Sequence, residues 1–282
     1  INRVYAGYGV EIFKNLNLGV NFNYNFGSIQ SLSAKVYPNT DTHFSLSDEE
    51  YITYRGLDLD FGVQYTLQTK HISHTLAATF SPGTTLNGNG YRYSETFFGR
   101  KFEQGTLTSI DTIAFEDNVE RNADKPLGYG LAYTVRNGEK WSLGVEFEQN
   151  NWSDVTNDVG KAYFNNTKYA AGLAFVPQPT YDETGNFLKK VRYSAGFRYE
   201  DLFYNFFATQ LSEFGISFGL GLPVVKSVRL DEEKVAVVSR VNISAEYARR
   251  GTTANGLIQE NYFKLGIGLN LNDKWFTKRK YR

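Results

Sequence analysis

The chain of 282 residues has no cysteine and no methionine, and its 30 lysine and arginine residues balance 30 aspartate and glutamate residues. Zero formal charge gives no electrostatic reason to expect nucleic acid as a partner, and no apolar run approaches the roughly 20 residues that a membrane helix needs. Helical spans are therefore excluded, whereas a barrel, in which only alternate residues meet lipid, stays open and would use residues 1–282 as one domain. A mean hydropathy of −0.41 is no objection, because half of every barrel strand faces water. Absent thiols fit an oxidising compartment. The opening Ile1-Asn2-Arg3 has neither an initiator methionine nor a signal peptide, which predicts a processed or truncated chain.

Successive strand residues point to opposite faces, and the first predicted strand, Val4 to Phe13, sets Val4, Ala6, Tyr8, Val10 and Ile12 against Tyr5, Gly7, Gly9 and Glu11. After the turn Lys14-Asn15, the second strand alternates Leu16, Leu18, Val20, Phe22, Tyr24 and Phe26 with Asn17, Gly19, Asn21, Asn23 and Asn25. A row of amides and glycine is too polar for hydrocarbon, so it faces a wet interior. Beyond a polar loop around Pro38 to Glu50, the third strand carries Leu57, Leu59, Phe61, Val63 and Tyr65 outward, with Asp58, Asp60 and Gln64 inward. The fourth places Ile72, His74, Leu76, Ala78 and Phe80 outward, and residues from Ser81 to Lys125 read as a long loop of the recognition or lid type.

The alternation resumes with Leu127 to Val135, turns at Asn137-Gly138, a strong hairpin signal, and returns over Trp141 to Phe147 with Glu146 and Glu148 on the polar side. A seventh outward row runs from Tyr169 to Phe175, an eighth from Val191 to Tyr199 opposite Arg192, Arg198 and Glu200, and a ninth from Phe214 to Leu222 against glycine and serine. Val237 to Tyr247 is the tenth, with Arg240, Asn242, Ser244 and Glu246 turned inward. Tyr262 to Asp273 is the eleventh, apolar at Phe263, Leu265, Ile267, Leu269 and Leu271 and polar or small at Tyr262, Lys264, Gly266, Gly268 and Asn270. Leu269 reads as a mid-strand lipid contact.

The expected fold is all-β, a transmembrane antiparallel β-barrel. Short turns follow strands one, three and five, and three of the longest loops follow strands two, four and six. Bacterial barrels keep short turns on the periplasmic side, so the eleventh strand would end in the periplasm and the first would begin outside. That predicts an odd number of further strands upstream.

The Lys125-Pro-Leu-Gly-Tyr-Gly-Leu-Ala-Tyr segment and the Lys140-Trp-Ser-Leu-Gly-Val-Glu-Phe-Glu-Gln-Asn-Asn-Trp-Ser segment resemble the long-chain fatty acid transporter (FadL/TodX-like) family of outer-membrane barrels, in its Bacteroidetes branch. So do Tyr193-Ser-Ala-Gly-Phe-Arg-Tyr, Glu213-Phe-Gly-Ile-Ser-Phe-Gly-Leu-Gly-Leu-Pro, the Arg250 to Phe263 segment and the ending Asn272 to Tyr281. The resemblance implies a fourteen-stranded barrel, of which about eleven strands are visible, preceded by an N-terminal hatch that plugs the lumen. The final Arg282 departs from the terminal aromatic usual in barrels.

The sequence offers little chemistry. His71 and His74 point to opposite faces, and with His43 they form no plausible metal or Ser-His-Asp set. Glu146 and Glu148 read as lumenal charges facing Arg192, Arg198, Arg240 or Lys264 across the barrel rather than as paired glycosidase acids. The lumenal residues Arg198, Arg240, Lys264 and Glu246 are the candidate ligand-binding set, since a cation in a polar bore attracts a carboxylate head. The plainer reading is a charge ladder that stiffens the barrel. Lys278 to Arg282 reads as a basic anchor near headgroups. No cofactor and no enzymatic activity are expected. The leading expectation is an outer-membrane barrel of a Gram-negative bacterium, in contact with lipid and lipopolysaccharide, for passive uptake of long-chain fatty acids or other hydrophobic small molecules. The alternative is an accessory or plug subunit of a larger complex with other outer-membrane proteins, in protein secretion or barrel assembly.

Overall fold

The computed structural model describes residues 1–37, 44–97, 109–155, 163–179, 186–230 and 233–272. His43 and the basic tail from Lys278 to Arg282 lie outside the described residues. Among the described residues, thirteen strands form one antiparallel sheet. The first six are β1 (Asn2–Phe13), β2 (Leu16–Lys35), β3 (Ser45–Gln68), β4 (Ser73–Ser81), β5 (Thr84–Phe97) and β6 (Ser109–Lys125). They are followed by β7 (Gly128–Asn137), β8 (Trp141–Asn150), β9 (Asn166–Phe175), β10 (Arg192–Phe206), β11 (Thr209–Leu230), β12 (Glu233–Gly251) and β13 (Gln259–Asn270). One short helix, α1 (Phe187–Lys190), stands between β9 and β10.

Eleven strands pair in chain order, β1 to β4 and then β7 to β13. These are the eleven that alternation predicts. The ladder is open: among the described residues β1 pairs only with β2, and β13 only with β12. The predicted faces hold. Phe22 and Tyr24 are exposed on the outer wall of β2, whereas Asn23 and Asn25 are buried on the inner side. The same sorting leaves Leu57, Leu173, Phe218 and Leu265 bare on the outside, as a wall solvated by lipid requires. At Asn137-Gly138, Gly138 takes φ +51° and Lys140 donates its backbone N–H to the Asn137 carbonyl at 2.9 Å, so the hairpin forms where the dipeptide places it.

Besides the polar loop around Pro38 to Glu50, which is already strand from Ser45 where β3 begins, two expectations need correction. The Ser81 to Lys125 segment is not a plain loop, because β5 and β6 form a hairpin inside it. β5 continues the line of β4 past Pro82-Gly83, and β6 leads into β7 across Pro126-Leu127, so prolines, which donate no ladder hydrogen bond, divide both lines. β3 is long enough to serve both partners: Phe61 to Gln68 pair with β4, and Ser45 to Arg55 pair with β5. The upper parts of β2 and β3 therefore join β5 and β6 in a four-stranded extension at the long-loop end of the wall. Alternation does not mark this extension, because carboxylates such as Glu49, Glu95 and Asp117 interrupt its outer row where lipid would demand apolar residues. The second correction is at the last strand. β13 stops at Asn270, so Leu269 sits one residue from its end and Leu265, opposite Ala245, lies nearer its centre.

In the extension, the Arg92 guanidinium hydrogen-bonds to Asp48, with Nε 3.0 Å from Oδ1, and the Ser94 hydroxyl donates to Oδ1 at 2.7 Å. Those two donors, Arg92 first, hold the Asp48 carboxyl below the usual carboxylate range, despite some opposing desolvation. A depressed folded-state value means that the contribution is present above the ordinary aspartate value of about 3.9 and is lost as pH falls through the folded value. Hydrogen exchange of β3 and β5 amides should therefore quicken in acid, after correction for intrinsic rates, and Asp48→Asn should flatten that pH dependence. Equal acid sensitivity in both proteins would refute the assignment.

Candidate functional site

Because the outer face of the eleven-strand wall is apolar, the polar side chains of that wall lie on the inner one. Register brings three groups of polar side chains together there. The first spans β1 to β6. Asn23 and Asn25 stand on β2 beside Asp58 and Asp60 of β3, since Asn23 pairs with Asp58 and Asn21 with Asp60. The Asn23 amide donates to Asp58 at 2.5 Å and to Asp60 at 2.8 Å, and the Asn25 amide donates to Asp58 at 2.6 Å. Lys125 Nζ lies 3.1 Å from Asp58 and 3.4 Å from Asp60, while Arg3 reaches the same carboxylates at 3.9 and 3.7 Å. The Asp58 side chain is 0% exposed. A buried carboxylate needs this many donors and cations, because desolvation without them would cost several kcal/mol.

The second group joins β10 to β13. Arg198 of β10 donates from Nη2 to Glu213 Oε1 at 2.5 Å and from Nε to Glu246 Oε1 at 2.7 Å. It also donates to the Tyr262 hydroxyl at 2.9 Å, and that hydroxyl donates onward to Glu213 at 2.5 Å. Arg250 closes on the second oxygen of Glu213, and Lys264 stands 3.8 Å from Glu246. Glu213 is 2% exposed and carries the highest density of donors in the group.

The third group is local. Lys168 of β9 lies 3.4 Å from Glu146 and 3.6 Å from Glu148 of β8. The expectation that these glutamates face cations across the barrel is thereby corrected: Lys168 is directly opposite Glu148 in the ladder and diagonal to Glu146, so a neighbour reaches them first.

Of the four candidate ligand-binding residues, the structure unites Arg198, Glu246 and Lys264 and separates Arg240. Arg240 lies toward the short-turn end, where Nη2 stands 3.4 Å from Glu139 in the β7–β8 turn. It lines a cavity of about 200 Å³ with Arg136, Trp141, Phe175 and Arg192. A second cavity, of about 400 Å³, opens between the foot of the extension and the β8–β9 connection, lined by Arg3, Lys125, Leu86, Trp152, Val155 and Tyr163. Trp152 stacks on Phe203 with centroids 4.5 Å apart, which gives that cavity an aromatic side wall. Glu213, Tyr262, Asp58 and Lys125 are the principal residues that the candidate set omitted. Face parity was the available signal, since Glu213 continues the inward row of Gly215 and Ser217 and Tyr262 that of Lys264. His74 faces outward, with Nδ1 2.7 Å from the Tyr133 hydroxyl.

The apolar outer wall, the meander and the polar inner face define the wall of a transmembrane β-barrel. The sequence profile of the BamG family matches residues 1–282, and the chain belongs to that family. The fold is similar to that of a Pseudomonas aeruginosa FadL homologue, with a TM-score of 0.57 at 14% identity over 88% of this chain. The alignment covers 59% of that homologue, so this chain spans less than two thirds of its length. A CymD monoaromatic hydrocarbon channel aligns at a TM-score of 0.48 and 11% identity, over 88% of this chain and 68% of its own. No curated protein matches the sequence.

Proposed function

We propose that residues 1–282 form one barrel wall in the outer membrane of a Gram-negative bacterium and act as an accessory subunit beside other outer-membrane proteins, in a barrel-assembly complex as the family name suggests. The observation that carries this reading is the inner wall. Asp58, Asp60, Lys125, Arg198, Glu213 and Glu246 tie neighbouring and more distant strands together through ion pairs, and no continuous apolar row runs along that face among the described residues. A hydrophobic solute gains nothing from such a lining, since each paired charge it displaced would have to be desolvated or left unpaired. A stiff, polar interior behind an apolar exterior suits a barrel whose outside surfaces do the work.

The second reading is passive uptake of long-chain fatty acids or other hydrophobic molecules, favoured by the fold shared with the FadL homologue. In that reading Lys264 and Arg198 attract an anionic head, and the aromatic wall at Trp152 and Tyr163 meets the apolar part. Neither reading needs a cofactor or a chemical step.

Gentle detergent extraction from the native outer membrane, then sizing and mass spectrometry of all that co-elutes, separates the two. Stable co-elution with other outer-membrane proteins supports the subunit. A particle of single-barrel mass carrying apolar small molecules, together with reduced fatty-acid uptake by cells lacking the protein, overturns it in favour of uptake.

A further inference from the structure

The two faces of the four-stranded extension are built differently. On the inner face the charges are satisfied within the sheet: Asp48 by Arg92, and Glu50 by Arg121 at 3.0 Å. Directly paired residues share a face, and the register therefore sets Glu49 beside Tyr93, Tyr51 beside Tyr91, and Glu95 beside Ser47 on the other side. It adds Phe115 next to Tyr93, Asp117 next to Tyr91, and Glu120 next to Asn89. The rings form a continuous ladder, with Tyr51 and Tyr91 centroids 5.5 Å apart, Tyr91 and Phe115 6.2 Å, and Tyr93 and Phe115 6.5 Å. Phe115 is 61% exposed.

Among the described residues, Glu49, Glu95, Asp117 and Glu120 make no ion pair. Their neighbours are neutral donors or none: Gln30 donates to Glu49 at 2.8 Å, and Ser47 to Glu95 at 3.3 Å. Arg55 is the cation nearest in sequence on the same side of β3, at the foot of the extension. This face continues the outer wall above Leu57, so it looks sideways, away from the barrel mouth and toward whatever stands next to the barrel.

We propose that this outward face of β3, β5 and β6 docks a lysine- and arginine-bearing surface of a neighbouring outer-membrane protein. The inference rests on the subunit reading and names the surface that reading requires. The exposed Phe115 ring, the half-buried Tyr51, Tyr91 and Tyr93 rings beside it and the carboxylates outside any ion pair together select a cation that is also an alkyl or guanidinium stack: the ring faces attract it and the carboxylates pair with it. The anionic sugar-phosphate of the outer leaflet is repelled by the same carboxylates, which disfavours lipid as the occupant. A binding surface set by exposed charges also implies attachment that weakens with salt.

The test uses the full-length protein in native outer membranes. Wild type, the triple variant Glu49→Lys, Asp117→Lys, Glu120→Lys, and the inner-face control Glu116→Lys are extracted at low and high salt and sized. The expected result is a complex that the triple variant reduces at least tenfold, that the control retains, and that high salt weakens. In the wild type, a carbodiimide that joins carboxylates to lysine amines should link Asp117 or Glu120 to a second protein. A complex that survives the triple variant at every salt concentration overturns this surface and leaves the subunit reading standing. A wild-type barrel that elutes alone overturns the subunit reading itself. If the triple variant does not reach the membrane, the wild-type cross-links decide: links from a second protein to these acids support the surface, and links confined to other faces overturn it.

Discussion

Phe218→Arg should lower the stability of the barrel by about 2–4 kcal/mol, the penalty for a cation facing the middle of the lipid layer. Phe218 pairs with Ala195 of β10 and Ala245 of β12, which puts it at the level of Leu265 near the centre of β13, and it is 64% exposed on the outer wall. The two alanines give a long side chain no protein shelter, so the guanidinium must either enter hydrocarbon or bend along the wall toward headgroups. The matched control is Asn242→Arg, an inner-face residue between Gly221 and Gly268 where a long polar side chain extends into the lumen. Urea unfolding of the refolded protein in lipid vesicles should show a large loss for the first and less than about 1 kcal/mol for the second. Equal losses would mean that the faces are assigned wrongly. Leu265→Arg should behave like Phe218→Arg, whereas Leu269→Arg, one residue from the end of β13, should cost far less because the penalty falls toward the interface.

Arg198→Met should cost about 3 kcal/mol, near the low end of what removing one partner of a buried ion pair costs. The substitution keeps the stem of the side chain and deletes the guanidinium shared by Glu213 and Glu246. Glu213 is the sensitive partner because it is almost fully buried. Arg250 and Tyr262 remain to hold it, which keeps the loss from being larger. Arg198→Lys should recover only part of the loss, since an ammonium cannot donate in two fixed directions to both glutamates and to the Tyr262 hydroxyl. Thermal unfolding in detergent reads both variants. If Arg198→Met unfolds at the wild-type temperature, the β10 to β13 network does not stabilise the wall. A fall in fatty-acid binding without loss of stability would instead point to a ligand role for Arg198.

Hydrophobic alternation alone determined the eleven strands of the wall, their outward rows and the Asn137-Gly138 hairpin. Lipid imposes that pattern: a residue that meets hydrocarbon cannot be polar, so each of the eleven wall strands carries its orientation in its own composition. The Ser81 to Lys125 region carried no such mark. Its strands extend beyond the apolar wall, where β5 pairs with β6 and with the long β3, and the second partnership joins residues far apart in sequence, such as Tyr51 and Tyr91. Parity placed Arg198, Glu246 and Lys264 on the inner face but could not say that they meet, nor that Arg240 would not. That depended on stagger between strands, which puts Arg240 at the level of Asn270 and Glu246 at the level of Lys264. The same stagger brought Lys168 to Glu146 and Glu148 before any cation across the lumen could reach them. Which charges pair, and which are left exposed on the outer face of the extension, is decided by register, a property of two strands together that neither strand's sequence contains.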